Sequence, residues 1–461
     1  MYQSINGNTI ICGNDYPFCY DQENEKIIIY LGMKPVELPD NLDKIIGQRF
    51  GMISGGNTLY KLSVPLSNDG MIVEGEKVQN VTLANQVRTI EYLIDDYQLN
   101  SKYTEMRLQF PELDYFIPSR GRAIISQEQF IFSRINDAMY SFDIHYRDTV
   151  VNVSFNSKVE VHVKAKTIAE TISEVTLKFH ETDEEGYLLG LYTCMRNFFC
   201  FICNRSNIGM RSAILIGKFP HKTLEDRKIV EKDAYTKQKL VLNQKYLEPL
   251  EEQKQLNKVP NSRIFSTNLK ELVQLFFEEK IEGTAKINGN SIHPSFKYRN
   301  LIDLEQSLHI TAAFEYYVRT VLPEISSAET LAFFNDIEIL VDEYIKTAKG
   351  KMKEKAKKFK KLLRPQVSLE EKILKAYEGY STWKALKPIL IEWFGDNIAD
   401  LASSANLWRN ELAHEKREYQ PDINVIKAIR LVEHINYCIV LRLAGYDDEQ
   451  IKIIVAEILT R

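Results

Sequence analysis

Six apolar residues in the last part of the sequence recur at steps of three or four and form one continuous stripe along a helix. The stripe consists of Val425, Ile429, Val432, Ile435, Ile439 and Leu443. Pro421 and Asp422 are residues that commonly begin a helix, and Gly445 is one that commonly ends it. A helix of this kind must bury its stripe against neighbouring elements, so this region is predicted to belong to a helical bundle.

The sequence beyond Asn300 has the same helical character throughout. One predicted helix begins at Leu301 and ends near Pro323, and the sequence SLEE that begins at Ser368 is a capping box that predicts the start of another. The last helix is predicted to begin at Asp447 or at the next residue. Short connections between about five helices are typical of an all-α bundle.

The first half of the sequence shows the two-residue period of β-strands. Apolar and polar residues alternate over residues 158–166, as in a half-buried antiparallel strand. The alternating Val175, Leu177 and Phe179 predict a second strand, and residues 50–65 predict a hairpin that turns at Gly55 and Gly56. This half is therefore predicted to consist of antiparallel sheets.

These patterns predict an α+β protein. A β-rich domain is expected over residues 1–290 and an all-α bundle over residues 296–461. A polar linker near residues 245–265 leaves open whether the first domain consists of two subdomains. With 461 residues, the chain exceeds the size at which a single hydrophobic core stops growing.

Composition and charge narrow the possible classes of function. The formal net charge of −4 predicts no general affinity for nucleic acid or anionic membranes, so a polyanion site requires a local basic patch. The first residues lack the pattern of a secretory signal, and the most apolar short window, residues 194–204, is shorter than the ~20 residues that span a bilayer. The chain is expected to be cytoplasmic, with no membrane partner.

No metal ion or cofactor is expected. The six cysteines are too scattered for a disulfide scaffold, and Cys200 and Cys203 form a lone CxxC without the second pair of ligands that a zinc site needs. Residues 217–223 contain Gly-Lys but lack the upstream glycine and the following hydroxyl residue of a phosphate-binding loop.

The sequence RNELAH, from Arg409 to His414, brings three residues able to contact a phosphate onto one predicted helix. At about 100° per residue, Asn410 and His414 lie about 40° apart on one face of that helix. Arg409 lies about 140° from His414 and reaches the same space through its long side chain. The three side chains are therefore able to converge on one phosphate near the end of the helix.

Glu315 is predicted to lie on the apolar face of the helix that begins at Leu301. The leucines of that face are Leu304, Leu308 and Leu322. A buried carboxylate needs a partner, and two are compatible with the sequence. Arg319 can pair with Glu315 across one helical turn, or Glu315 can orient Arg409 within the bundle.

A strongly basic run over residues 346–364 lies between two predicted helices and contains Glu354 as its one acidic residue. Such runs are commonly solvated helices or loops, and this interpretation stays open. The alternative is an arm that binds the phosphates of a nucleic acid without reading its sequence. The candidate binding residues are Lys353, Lys355, Lys357, Lys358, Lys360 and Lys361.

The residues from Arg409 to His414 resemble the RxxxxH motif of the HEPN-domain family, which are helical-bundle ribonucleases of bacterial defence and toxin systems. In that family Asn commonly follows the Arg and Ala commonly precedes the His, as they do here. The order of the predicted helices is also similar, and the resemblance covers residues 296–461. The β-rich first half, including IIGQRFGMISGGNTLYKLSV from Ile45, resembles the N-terminal domain of the ApeA group of abortive-infection proteins.

The resemblance implies a metal-independent endoribonuclease that acts in anti-phage abortive infection, with Arg409, Asn410 and His414 as catalytic residues and Glu315 in support. The chemistry is reasonable, since an imidazole can transfer the protons of the RNA 2′-hydroxyl and the leaving 5′-oxygen while a guanidinium holds the phosphate. One histidine cannot easily be both acid and base. The resemblance thus also implies a homodimer or higher assembly, with two motifs facing each other.

The expected partners are an RNA substrate, a second copy of the chain and a phage-derived trigger sensed by the β-rich half. The alternative is a catalytically inactive HEPN-type protein that binds a ligand or a partner. A third interpretation gives the motif no role beyond that of a surface helix end.

Overall fold

The protein is described here by a computed structural model. The structure describes residues 5–11, 14–21, 26–30, 44–49, 58–63, 84–87, 92–95, 100–117, 122–125, 130–133, 138–161, 169–210, 212–225, 228–242, 253–278, 292–298, 302–321, 328–362, 367–379, 383–413 and 421–460. The chain divides into two compact units. The first comprises Met1–Arg196 and Asn207–Ser262, and the second comprises Asn197–Ser206 and Arg263–Arg461.

The first unit contains fifteen strands among the described residues. They are β1 (Ile5–Ile11), β2 (Asn14–Asp21), β3 (Lys26–Tyr30), β4 (Lys44–Arg49), β5 (Thr58–Ser63), β6 (Ala84–Val87), β7 (Tyr92–Asp95), β8 (Lys102–Gln109), β9 (Arg122–Ile125), β10 (Phe130–Ser133), β11 (Tyr140–Tyr146), β12 (Thr149–Val161), β13 (Ala169–Thr182), β14 (Ser212–Glu225) and β15 (Lys228–Leu242).

Thirteen of these strands form one antiparallel sheet in the order β11-β12-β13-β8-β14-β15-β7-β5-β4-β1-β2-β3-β6, and β9 pairs with β10 separately. Among the residues whose burial is described, those of the first six strands of that order contribute to the buried core of the unit. On β12, Val151, Val153 and Phe155 are fully buried and alternate with less buried residues. This alternation is that of a sheet with one face on the core.

The strands predicted from the sequence are found in this sheet. Val175, Leu177 and Phe179 lie on β13 and are buried, as predicted. The strand predicted over residues 158–166 is the end of β12 up to Val161, and its later residues lie outside the described part. Of the hairpin predicted over residues 50–65, the second strand is β5, but its partner strand β4 lies just before the predicted range, and the predicted glycine turn lies outside the described residues.

The helices of the described residues are α1 (Leu113–Phe116), α2 (Glu185–Cys203), α3 (Gln253–Leu256), α4 (Leu269–Phe277), α5 (Leu304–Val321), α6 (Ala328–Thr347), α7 (Gly350–Leu362), α8 (Leu369–Glu378), α9 (Lys387–Phe394), α10 (Ile398–Ala413), α11 (Ile423–Leu443) and α12 (Asp448–Thr460). Eight of them, α5 to α12, follow one another in the second unit. The coarse α+β layout predicted from the sequence is therefore confirmed.

The helix ends follow the capping chemistry that the sequence predicts. The Ser368 hydroxyl accepts a hydrogen bond from the Glu371 amide while the Glu371 carboxylate accepts one from the Ser368 amide, which completes the capping box of α8. The Asp422 carboxylate accepts hydrogen bonds from the first amides of α11. Gly445 adopts φ +88° just after that helix, a conformation that favours glycine.

The predicted apolar stripe of α11 lies in the core of the second unit. Five of its six residues are buried, and Leu443 at the end of the helix is 43% exposed. The helix packs against α5, α10 and α12. As the central helix of the bundle, α11 positions the helices that carry the candidate site.

The second unit begins earlier in the sequence than the predicted boundary at residues 290–296. Residues 263–278 belong to it, and its α4 buries Leu269, Leu272 and Phe276. The ring of Phe276 packs against Phe198 and Phe201, which lie 5.9 and 5.4 Å away between centroids. Part of the predicted linker near residues 245–265 is α3, and residues 243–252 lie outside the described part.

One helix in the described residues, α2, has the length and apolar composition that a membrane crossing requires. It has 19 residues, so it extends well beyond the apolar window considered in the sequence, and 61% of its apolar segment is buried within the structure. The core helix of a soluble protein passes the same test.

The prediction that Leu304 and Leu308 define the buried face of α5 is wrong. These leucines are 43% and 40% exposed. The buried face instead consists of Gln306, Ser307, Ile310, Thr311, Ala313, Phe314, Tyr317 and Val318. The Ser307 and Thr311 hydroxyls donate to backbone carbonyls of the preceding turn, and this satisfies polar groups on a packed face that the leucine spacing alone did not reveal.

Candidate functional site

Three helices of the second unit meet around Glu315. The carboxylate projects from α5, and α5, α8 and α10 pack against one another pairwise. Glu315 lies at the edge of the buried face of α5, and its side chain is 20% exposed. It is thus accessible to side chains from both neighbouring helices.

Arg409 comes to this point because of the buried stripe on α10. Ile398, Leu401, Ala402, Ala405 and Trp408 recur at helical spacing and are buried. Arg409 follows Ala405 by four residues, so it lies on the flank of the same stripe, with its side chain 39% exposed. The packing of α10 against α5 thereby places the guanidinium beside Glu315.

Glu315, Lys372, Arg409 and Asn410 form one hydrogen-bonded group, called the Glu315 cluster below. Arg409 donates from Nη2 to Glu315 Oε2 at 3.2 Å and from Nη1 to Asn410 Oδ1 at 3.2 Å. Lys372 on α8 donates from Nζ to Glu315 Oε1 at 2.8 Å. Both carboxylate oxygens therefore have a cationic partner.

The charges of the Glu315 cluster determine its protonation state. Burial alone would raise the pKa of the Glu315 carboxyl, but the Lys372 ammonium and the Arg409 guanidinium together hold the pKa below its usual range. The carboxylate is therefore ionised at neutral pH. Because one carboxylate faces two cations, the cluster carries a formal excess of one positive charge.

The arrangement leaves donors for an anion. A guanidinium has five N–H donors, and the described residues accept from two N–H groups of Arg409. The amide NH₂ of Asn410 has no acceptor among the described residues. A partly exposed guanidinium that is held in place, with N–H groups that no described residue accepts from, is suited to bind a phosphate.

The structure therefore brings together two of the three predicted catalytic residues, Arg409 and Asn410, with the predicted supporting residue Glu315. Of the two partners compatible with the sequence for Glu315, Arg409 is in contact with it, and the side chain of Arg319 lies outside the described residues. The described part of α10 ends at Ala413, and His414 follows it outside the described residues. Lys372 was missed, since nothing in the sequence shows that α8 lies beside α5.

The basic run predicted from the sequence lies largely on α7. Lys355 and Lys358 are exposed and have no carboxylate partner among the described residues. Lys360 instead donates to Asp342 at 2.5 Å and pairs with Glu338 at 3.2 Å on α6, and these carboxylates raise its pKa. Lys357 pairs with Glu354 at 3.1 Å. Lys353 is half-buried, and the side chain of Lys361 lies outside the described residues.

A second titratable cluster, which the sequence did not indicate, is buried in the same unit. Glu433 on α11 accepts hydrogen bonds from His293 Nε2 at 3.1 Å, Asn204 Nδ2 at 3.4 Å and Arg430 Nη1 at 2.6 Å. Burial alone would raise the pKa of Glu433, but the bond from His293 and the positive charge of Arg430 lower it to about 2. The cluster joins two irregular segments to the central helix.

The cysteines and acidic residues form no candidate metal site in the described part of the chain. No group of three or more His, Cys, Asp or Glu residues with suitable geometry occurs there. Cys200 and Cys203 are buried free thiols, and burial raises the pKa of the Cys438 thiol to about 12.

The described residues thus define an α+β protein in which a helical unit holds a half-exposed arginine between a carboxylate and an amide. Comparisons with protein-family models, with curated proteins and with solved structures found no match.

Proposed function

We propose that the protein is a metal-independent endoribonuclease of the HEPN type, acting in anti-phage abortive infection. The observation that carries this proposal is the Glu315 cluster. Glu315 fixes the direction of the Arg409 guanidinium, and Asn410 lies beside it, on the helix that leads to His414. The positive excess of the cluster favours a phosphate as its ligand.

In this proposal the guanidinium of Arg409 and the amide of Asn410 donate hydrogen bonds to the non-bridging oxygens of the scissile phosphate. These bonds strengthen as negative charge accumulates on the phosphorane. His414 transfers the proton of the 2′-hydroxyl or of the leaving 5′-oxygen. The 2′-oxygen attacks phosphorus, the bond to the 5′-oxygen breaks, and the products are a 2′,3′-cyclic phosphate and a 5′-hydroxyl.

Glu315 acts as a positioning residue. A lone arginine on a helix surface samples many rotamers, and holding it in one of them removes an entropy cost from the reaction. Lys372 neutralises the second oxygen of Glu315, so that the carboxylate does not cancel the charge of Arg409. In this proposal, one carboxylate faces two cations because Arg409 contacts the phosphate while Lys372 balances the charge of Glu315.

The proposal includes a second copy of the chain, because acid and base are more easily supplied by two histidines than by one. The β-rich unit would hold cleavage in check until a phage-derived trigger binds. The exposed lysines of α7 would hold the RNA by its phosphates.

The proposal is tested by expression of the wild type and of His414→Ala in cells, together with an assay of RNA cleavage. We expect the wild type to degrade RNA and arrest growth when the cells are infected with phage, and His414→Ala to do neither while staying folded. His309→Ala is the matched control, since His309 is a surface histidine of the same unit, 3.5 Å from Glu305. If His414→Ala keeps every cellular phenotype, the protein is instead an interaction protein without nuclease activity.

A further inference from the structure

Helices α6 and α7 form an antiparallel hairpin with a two-residue joint. The ion pairs of Lys360 with Asp342 and Glu338 hold the helices side by side. The half-buried residues Phe334, Ile337, Val341 and Ile345 mark the side of α6 that faces α7. Lys353, Ala356 and Lys360 mark the corresponding side of α7.

An exposed apolar stripe runs along α6. Phe333, Leu340 and Tyr344 are spaced by seven and four residues and lie within about 40° of one another around the helix. They are 59%, 64% and 47% exposed. The stripe is about a quarter turn away from the side that faces α7, so it is not covered by the hairpin itself.

Helix α7 carries a matching pair. Met352 and Phe359 are seven residues apart, and they are 53% and 52% exposed. Around the axis of α7 they also lie about a quarter turn from the side that faces α6. Viewed along each helix from its N-terminus, the direction of this rotation is the same as that of the stripe on α6. Because the two helices are antiparallel, equal rotations put both sets on one face of the hairpin.

The two edges of this face carry opposite charges. Asp336 and Glu343 lie on the outer edge along α6, and Lys351 and Lys355 lie on the outer edge along α7, all of them exposed. The helices as wholes show the same asymmetry. Five acidic residues and one lysine lie on α6, whereas seven lysines and one glutamate lie on α7.

We propose that this face of the hairpin is a self-association surface, which binds the same face of a second copy of the chain. A two-fold axis parallel to the helices puts α6 of each copy over α7 of the other. This arrangement covers the apolar residues and brings the acidic edge of each copy to the basic edge of the other. A perpendicular axis would instead put acid against acid, so the charges select the first arrangement.

The size of the face indicates how tightly two copies of the chain can bind. Helix α7 is about 20 Å long, and two packed helices are about 10 Å apart, so the face offers on the order of 400 Å² per copy. The total of about 800 Å² is that of a weak, transient interface, so we expect self-association no tighter than micromolar. The five exposed apolar side chains lie together on this one face instead of being scattered singly over the surface, as is common at interaction sites.

This inference does not depend on the proposed nuclease. The hairpin face contains none of the residues of the Glu315 cluster, and a self-association of the chain through it can exist with or without RNA cleavage. A monomeric wild type would count against the second copy in the proposed nuclease as well, whereas a dimer that Leu340→Asp does not weaken would overturn the hairpin surface alone.

Sedimentation velocity of the full-length protein over about 1–100 μM tests the surface. We expect a concentration-dependent dimer for the wild type, and a dissociation constant raised about a hundredfold for Leu340→Asp. Ile453→Asp is the matched control, since Ile453 is an equally accessible aliphatic residue on α12, 56% exposed. We expect circular dichroism to show that both variants keep their helices.

A charge exchange tests the arrangement of the copies. Glu343→Lys and Lys355→Glu alone should each weaken the dimer about tenfold, and the double variant should recover most of the loss. A monomeric wild type, or a dimer that Leu340→Asp does not weaken, would overturn the proposal. A wild type that stays monomeric but binds anionic lipid vesicles or RNA through this face would equally overturn it.

Discussion

Glu315 and Arg409, which are 94 positions apart in the sequence, are joined by a hydrogen-bonded ion pair of 3.2 Å between α5 and α10. The carboxylate is the more buried partner, with 20% of its side chain exposed against 39% for the arginine. A more buried carboxylate that holds a more exposed guanidinium directs that guanidinium outwards. The pair therefore connects the packing of the bundle to the chemistry proposed for its surface.

The positioning role of Glu315 is tested by a double-mutant cycle on RNA cleavage. We expect Glu315→Gln to lower kcat about tenfold or more, because the guanidinium loses its fixed direction. In the Arg409→Ala background the same change should have little further effect, since nothing is left to position. Lys372→Gln is the matched control, because Lys372 contacts Glu315 but not Arg409, and a smaller loss is expected. Additive effects would contradict the positioning role.

The buried Glu433 predicts how stability depends on pH. Its pKa is about 2 in the folded protein, so its stabilisation is complete above the unfolded pKa near 4.5 and is lost as the pH falls towards 2. At pH 7, Glu433→Gln should lower the free energy of unfolding by on the order of 3 kcal/mol. The difference between the two proteins should shrink below about pH 4.5, as measured by urea unfolding at several pH values. A constant difference from pH 7 to pH 3 would contradict this account.

The lysines of α7 should fall into two groups. Lys358 is exposed without a carboxylate partner among the described residues, whereas Lys360 is held by Asp342 and Glu338. For Lys358→Ala we expect weaker binding to RNA of every sequence. The salt slope, which is the slope of the logarithm of the binding constant against the logarithm of the salt concentration, should be shallower by about 0.7. Lys360→Ala should leave the slope nearly unchanged and loosen the hairpin, as measured by amide hydrogen exchange on α6. Equal effects of Lys358→Ala and Lys360→Ala on the salt slope would contradict this division of the lysines into two groups.

The close approach of β14 to β8 gives a test of the sheet. A Cβ added at Gly217 would lie 1.9 Å from the Lys102 carbonyl oxygen, which is backbone and cannot turn away. Gly217→Ala should destabilise the first unit by about 1–3 kcal/mol. Gly186→Ala is the control, because an added Cβ there meets nothing closer than 3.8 Å, and we expect little change. Equal melting temperatures for both variants would contradict the register of these strands.

Several features of the fold could be predicted from the sequence because they depend on local chemistry. The Ser368 capping box, the start of α11 at Asp422 and its end before Gly445 each require only a few adjacent residues. Strand alternation on β13 is a similarly local signal. The Glu315 contact with Arg409 was one of two possibilities, and the structure brings these two side chains together.

Other features depend on contacts between residues that are distant in the sequence, so they could not be predicted from it. The buried face of α5 includes serine, threonine and glutamine, whose polar groups are satisfied in the folded chain. The spacing of the leucines therefore predicted the wrong face. The place of Glu433 beside His293 and Asn204 combines segments that are far apart in sequence. The second unit starts before residue 290 because aromatic rings from two segments pack together, which periodicity cannot reveal.

If the proposed function is correct, the motif from Arg409 to His414 cleaves RNA through its own side chains and the 2′-hydroxyl of the substrate. Cleavage of a labelled RNA is measured in excess EDTA with protein purified from phage-infected cells, and a 2′-O-methyl copy of the same RNA is tested in parallel. We expect the wild type to cleave only the unmodified RNA, leaving 2′,3′-cyclic phosphate ends, and His414→Ala to be at least about a hundredfold slower. Cleavage of the methylated RNA, or equal rates for the wild type and His414→Ala, would contradict the proposed function.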